Sequence, residues 1–175
     1  AHVYTGQYAP SRGRRHGNTA AGIPAYRFVV CIQNHDQVGN RVLGDRLTRL
    51  VSAERLKLGA AVLLLSPYIP LLFMGEEYGE EQPFMYFVDH GDPALIEAAR
   101  EGRKKEFAAT HATAEPPDPA APETYERSKL NWALPEEDWH GELRELYRAL
   151  IRLRKQEPAL NHLSNEHLDV NVFEQ

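Results

Sequence analysis

The chain has 175 residues, 42% of them apolar and 26% charged, with a formal net charge of -5. This is the length and balance of one soluble globular domain with a core, and with a net negative charge and basic residues scattered except at Arg12, Arg14, Arg15 and His16, nothing calls for nucleic acid as a partner. A lone cysteine, Cys31, excludes an internal disulfide framework; the longest apolar stretch, Leu58 to Met74, is broken by Ser66, Pro67 and Pro70 and falls short of the roughly 18–20 unbroken residues of a membrane span.

Residues 1–25 are rich in Gly, Pro, Arg and Ser without a sustained period, so a loop is expected there. No basic region followed by an apolar one opens the chain, so no signal peptide is expected. The first residue is Ala, which suggests that the sequence starts inside a longer polypeptide. Arg27 to Gln33 (RFVVCIQ) is apolar on both faces, as a covered parallel strand would be, and within it Cys31 is expected to be a buried structural thiol. A reducing, cytoplasmic setting follows as the expectation.

Ser52 is a capping residue before an acid in the first turn and an apolar body that stops before Pro67, which predicts a well-buried helix. Ile69 to Met74 (IPLLFM) is a second short apolar run, ended by Gly75, Glu76 and Glu77. Strand, helix and strand, each strand opening into polar residues, predict a βαβ unit with parallel strands.

Asp92 before Pro93 starts a further helix through 94–107. Residues 108–124, full of Ala, Pro and Thr, read as a surface loop or linker. Leu143, Leu146, Tyr147, Leu150 and Ile151 mark an amphipathic helix over about 140–156 that Pro158 ends. Residues 168–173 alternate apolar and polar, as the first strand of an antiparallel sheet does.

Reactive groups in α/β sheets cluster at the carboxyl ends of strands, and two such ends occur here, 34–37 and 75–77. An Asp beside a His at a strand end could serve acid–base work, metal binding or sugar binding, or cap the following turn. The residues alone leave these open.

The segment FVVCIQNHDQVGNR at 28–41 resembles the conserved region of the α-amylase family in which Asn-His-Asp closes the seventh strand of an eight-stranded (β/α) barrel. Segments GQYAPSRGRRHG at 6–17, LLFMGEEYGEEQPFMYFVDH at 71–90 and SKLNW at 128–132 are similar to the maltooligosyltrehalose trehalohydrolase subgroup. The resemblance implies an α/β fold, the last portion of a (β/α)8 TIM barrel with about two parallel strands and their helices, over 1–158. Residues 159–175 would then be a linker and the first strand of a carboxyl-terminal β-sandwich.

The resemblance also implies a retaining glycosidase, in which a nucleophile and a general acid flank the scissile bond and a third carboxylate stabilises the transition state. Asp36 matches that third position, and His35 the neighbouring sugar contact. Asn34 and Gln37 could reach the sugar or hold the loop; Arg41 could orient a carboxylate or form a surface ion pair. Adjacent Glu76 and Glu77 diverge on a strand and cannot be the reacting pair, leaving Glu76 as a candidate to line the cleft. Tyr78, Phe84, Tyr86 and Phe87 could stack on sugars or cover the barrel rim, and Arg12 to His16 could bind outer glucose units or be a solvated loop.

No candidate pair replaces the nucleophile and acid, and a barrel of this kind needs about 250 residues. The expectation is a fragment, inactive alone, with a maltooligosaccharide-type substrate, no cofactor or metal, and no nucleic-acid or membrane partner. The missing barrel half is required for a complete site. Two alternatives stand beside trehalose release from maltooligosyltrehalose: another family enzyme, such as a glucan branching enzyme or amylase, and a non-catalytic carbohydrate-binding or interaction module.

Overall fold

A computed structural model of the chain describes residues 5–20, 22–109, 114–164 and, near the carboxyl end, 168, 169, 171 and 173. Its core is a pair of helices beside a small parallel sheet. Helix α3 (Ala53–Leu65) contributes Leu56, Ala60 and Leu64, and helix α6 (Asp138–Gln156) contributes Leu143, Tyr147 and Leu150, to one buried cluster. Spacings of three and four residues put each set on one helix face. Arg154 of α6 locks the pair by donating to the carbonyls of Leu64 (2.7 Å), Ser66 (2.5 Å) and Tyr68 (2.5 Å). These carbonyls lie at and beyond the end of α3, where no helical N–H reaches them.

Strands β3 (Val29–Val30) and β4 (Ile69–Pro70) pair in parallel, Val29 opposite Ile69, with α3 between them in sequence. The βαβ arrangement is as expected, but the strands are much shorter than the apolar runs 27–33 and 69–74. Ile69 and Leu71 donate to the carbonyls of Phe28 and Val30 at 2.9 and 2.8 Å, so Pro70 between them has its nitrogen on the side away from β3 and costs this ladder no hydrogen bond. Two-sided burial is also incomplete. Val29 is 58% exposed, and Leu58 and Val62, one turn apart on α3, are exposed on the face away from α6. Ser52 precedes α3 but makes no side-chain cap; its carbonyl accepts from the N–H groups of Arg55 and Leu56.

The expected amino-terminal loop is instead partly a hairpin. Strands β1 (Thr5–Ala9) and β2 (Arg14–Gly17) pair antiparallel, Tyr8 opposite Arg15. Pro10 fixes φ after β1, and Gly13 at φ +61° turns the chain back with its N–H on the Pro10 carbonyl. Turn residues dominate the composition of this segment, which hid the short strands.

Helix α4 (Pro93–Ala109) starts as predicted, with Asp92 Oδ1 accepting from the Ala94 N–H at 2.8 Å. Of the supposed linker 108–124, residues 110–113 lie outside the described residues; the part that follows is anchored rather than free. Val88 donates to the Pro119 carbonyl at 2.8 Å, and Arg100 pairs with Asp118 at 2.9 Å. The short helix α5 (Pro122–Glu126) continues from it. Helix α6 ends before Pro158 as expected, and Pro158 opens a last turn, α7 (Pro158–Asn161). Of the predicted strand 168–173, Val170 and Val172 lie outside the described residues, and residues 168, 169, 171 and 173 form no ladder. Among the described residues no helix is long and apolar enough to cross a membrane.

Candidate active site

The polar cluster at the carboxyl end of β3 forms a short helix, α1 (His35–Gly39). Asn34 caps it: its Oδ1 accepts from the Gln37 N–H at 3.0 Å. The capping role therefore falls to Asn34, and the Asp36 carboxylate is left for other work. His35 Nε2 lies 3.2 Å from Asp36 Oδ1, with side-chain exposures of 70% and 72%. Gln37 is exposed beside them. Arg41 Nε sits 3.8 Å from Asp45 Oδ2, a loose pair four residues apart rather than a bidentate clamp.

The loop after α1 is held from outside by α4. Arg103 donates Nη2 to the Gly39 carbonyl at 2.7 Å and Nη1 to Asn40 Oδ1 at 3.0 Å. Its guanidinium stacks over Tyr86 and Phe107 at 4.9 and 4.6 Å, and Glu106 pairs with it at 3.0 Å. A cation at the last carbonyls of α1 satisfies acceptors that a short helix cannot. Further along, Phe84 donates to the Gly44 carbonyl at 2.9 Å, which packs the aromatic segment 84–87 onto the same loop.

At the end of β4 the structure corrects the expectation for Glu76. Its side chain is buried, only 5% exposed, and Oε1 accepts from the Tyr147 hydroxyl at 3.0 Å. It therefore faces α6 and not an open cleft. Burial pushes this carboxyl up to about 7, against the opposing hydrogen bonds from Tyr147, Phe73 and Gln33. Oε2 has no hydrogen-bond partner among the described residues.

Beside it lies a buried polar frame. Glu80 accepts from the Tyr78 hydroxyl (3.0 Å) and from the N–H groups of Glu81 (2.9 Å), Gln82 (2.8 Å) and Asn131 (2.7 Å). Arg46, almost fully buried, donates to the carbonyls of Gln82 and Met74, both at 2.7 Å, and stacks on Phe73 at 4.9 Å. Desolvation lowers its pKa, opposed first by the charge of Glu80. Leu47, at the start of the short helix α2 (Leu47–Leu50), donates to Gln33 Oε1 at 3.1 Å. Thus both strand-end loops rest on buried charged and polar side chains that are largely hydrogen-bonded, with Glu76 Oε2 and Arg46 Nη2 left without a partner among the described residues. None of Arg46, Glu80 or Arg103 is singled out for this by sequence, because nothing local distinguishes them from surface residues of the same type; the spacing of Tyr147 put it on the apolar face of its helix but gave no sign of its bond to Glu76.

The aromatic set divides. Tyr78 is buried under Glu80, and Phe84 packs edge-on against Phe73 at 5.3 Å, whereas Tyr86 and Phe87 remain open. The basic stretch at 12–16 falls on the hairpin, where Arg15 donates to the Gly6 carbonyl at 2.9 Å. Among the described residues, cavities of about 490, 480 and 400 Å³ are lined by residues other than Asp36, which stands exposed with an imidazole beside it. A carboxylate so placed can accept hydrogen bonds from ligand hydroxyls and oppose a developing positive charge.

No family model matches the chain. The fold resembles a crystal structure from Salmonella typhimurium described as a candidate alpha amylase, with TM-score 0.82 and 51% identity over 89% of this chain and 26% of that one. Parallel strands with a connecting helix and polar strand ends thus place the chain among α/β structures of the alpha-amylase kind. In sequence the match is narrower. The malto-oligosyltrehalose trehalohydrolase of Saccharolobus solfataricus is 45% identical over 154 residues, 88% of this chain and 26% of that protein. Those of Rhizobium sp. (strain M-11) and Mycobacterium tuberculosis are 47% and 42% identical over 91% and 99% of this chain, and 27% and 30% of their own lengths. The chain is a relative of the malto-oligosyltrehalose trehalohydrolases over most of its length, and it spans between a quarter and a third of theirs.

Proposed function

We propose that this chain is part of a retaining glycosidase that cleaves the α-1,4-glucosidic bond next to the trehalose end of maltooligosyltrehalose, releasing trehalose. It supplies the closing two strands of a (β/α)8 barrel, residues 1–158, and the start of a β-sheet domain in 159–175. The observation that carries this reading is Asp36, open beside His35 at the carboxyl end of a parallel strand, in a chain similar to malto-oligosyltrehalose trehalohydrolases over nearly its whole length.

In this reading Asp36 accepts hydrogen bonds from sugar hydroxyls that shorten as the ring flattens and positive charge grows, so it binds the transition state better than the ground state. His35 donates to the same ring, and Gln37 is free to follow. Asn34 holds the turn, and Arg41 keeps its pair with Asp45 at the rim. Glu76 supports the loop from beneath. The reacting nucleophile and acid, which need a spacing of about 5–5.5 Å, come from residues outside this sequence.

The test is a chimera in which residues 1–175 replace the matching stretch of the Saccharolobus solfataricus relative, assayed on maltooligosyltrehalose and on starch. Trehalose release from the first substrate, with kcat/KM falling by about 10³ in Asp36→Asn, is expected. Full activity in Asp36→Asn sinks the role of that residue, and starch cleavage without trehalose release points to an amylase-type enzyme.

A further inference from the structure

A cavity of about 400 Å³ lies between the segment 87–89 and the segment 119–125. We propose that it is a binding subsite for one pyranose ring of an α-linked glucan, beyond the ring that Asp36 contacts; the sugar class rests on the glycosidase reading above.

Three observations carry this inference. First, two aromatic side chains stand open at one cavity: Phe87 and Tyr125 have ring centroids 5.3 Å apart at 67°, and are 37% and 49% exposed. A pair inclined in this way offers an apolar corner, and the C–H face of a pyranose is the ligand surface that fits aromatic carbon. Second, Asp89 stands exposed on the same wall. Its carboxylate can take bidentate hydrogen bonds from adjacent sugar hydroxyls, which gives orientation to an otherwise apolar contact.

Third, the cavity is built rather than incidental. Val88 donates to the Pro119 carbonyl at 2.8 Å, joining its two walls. The far wall is fixed by Asp118, which takes Arg100 at 2.9 Å and the Ala120 N–H at 3.0 Å, while its carbonyl accepts from Thr124 Oγ1 at 2.6 Å. A ligand would find the walls already ordered and would not have to immobilise them. The near wall also connects to the Asp36 loop. Phe87 packs on Phe84 at 5.9 Å, Phe84 is bonded to Gly44, and Tyr86 lies under the Arg103 that holds Gly39.

The experiment is titration of maltotriose into the 175-residue chain, followed by amide NMR shifts and by calorimetry. Saturable shifts at Phe87, Asp89 and Tyr125 are expected. Affinity should fall about tenfold in Phe87→Ala, where a stacking face is lost, and about fivefold in the exposed, fold-neutral Asp89→Asn. Phe87→Tyr keeps the ring and should bind as the parent does, so loss of binding there together with Phe87→Ala marks loss of fold, and Asp89→Asn then decides. Unchanged affinity in Asp89→Asn and Phe87→Ala, or shifts at Asn34 to Gln37 with none at the cavity, overturns the subsite and leaves the glycosidase reading standing. No saturable shift anywhere also overturns it. Cavity shifts with a chimera inactive on maltooligosyltrehalose leave the subsite standing and overturn the glycosidase.

Discussion

Tyr147, in the middle of α6, gives its hydroxyl hydrogen to Glu76 Oε1 at 3.0 Å across 71 residues of sequence. This bond ties the loop after β4 to the helix pair beneath it, and it places a carboxyl where water does not reach. The acid titrates near 7 in the fold against 4.5 in a free chain. Between those values the folded protein keeps a proton that the unfolded chain has released. The stabilisation is therefore complete below about pH 4.5 and is lost as pH rises through about 7, by on the order of 3 kcal/mol. Glu76→Gln should remove that loss. Urea unfolding at about pH 4 and about pH 8 reads it as a gap between the two proteins that widens with pH. A gap independent of pH would refute the assignment.

Arg103→Ala should loosen α1. The substitution strands the Gly39 carbonyl and frees Asn40, and it empties the space over Tyr86 and Phe107. A loss of about 2 kcal/mol is expected for a mostly buried charged donor with two stacked rings. Hydrogen exchange should quicken at 35–41 before it does so in α3. Equal acceleration in both would show that Arg103 acts on the whole core and not on this loop.

Gly44 and Gly13 share a left-handed backbone, φ +67° and +61°, in different surroundings. A Cβ at Gly44 would stand 2.6 Å from the Phe84 carbonyl oxygen, whereas at Gly13 it would meet open space. Gly13→Ala should cost about 1 kcal/mol, the strain alone. Gly44→Ala should cost clearly more, about 3 kcal/mol, because the aromatic segment must also move. Matching losses in thermal unfolding would mean that the contact yields freely.

Leu58 and Val62 predict self-association. They present apolar surface one turn apart on α3, and Val29 of β3 is exposed as well. Contiguous apolar surface and an unpaired strand edge favour sticking to other chains. Leu58→Lys with Val62→Glu should lower light scattering at equal concentration while leaving unfolding within about 0.5 kcal/mol. Persistent association in the double variant would move the sticky surface elsewhere.

Leu143→Ala tests the helix pair. Leu143 is almost fully buried between α3 and α6. The cavity should cost about 3 kcal/mol in denaturant unfolding. A loss under about 1 kcal/mol would mean that the helices close up over the gap.

By itself the sequence determined the elements whose cause is local. An apolar body stopping before Pro67 announced α3, apolar spacing α6, Asp92 and Pro93 the start of α4, and two apolar runs ending in polar groups the parallel pairing of β3 with β4. The strand pairing, Val29 with Ile69, was read from the order of strand, helix and strand, whereas each helix depends on residues within a turn or so of one another, so neighbours in the chain suffice. The same holds for the Asn34-His35-Asp36 group, whose turn is capped by Asn34 three residues from its donor. Only the tertiary structure decided where charged side chains finish. Asp36 and Glu76 are both acids just past the ends of adjacent strands, yet one opens to solvent and the other turns inward to Tyr147. Arg103 and Arg154 find carbonyls 64 and 90 residues away. A charge is buried only where distant partners offset its desolvation, and those partners meet it only after the chain has folded.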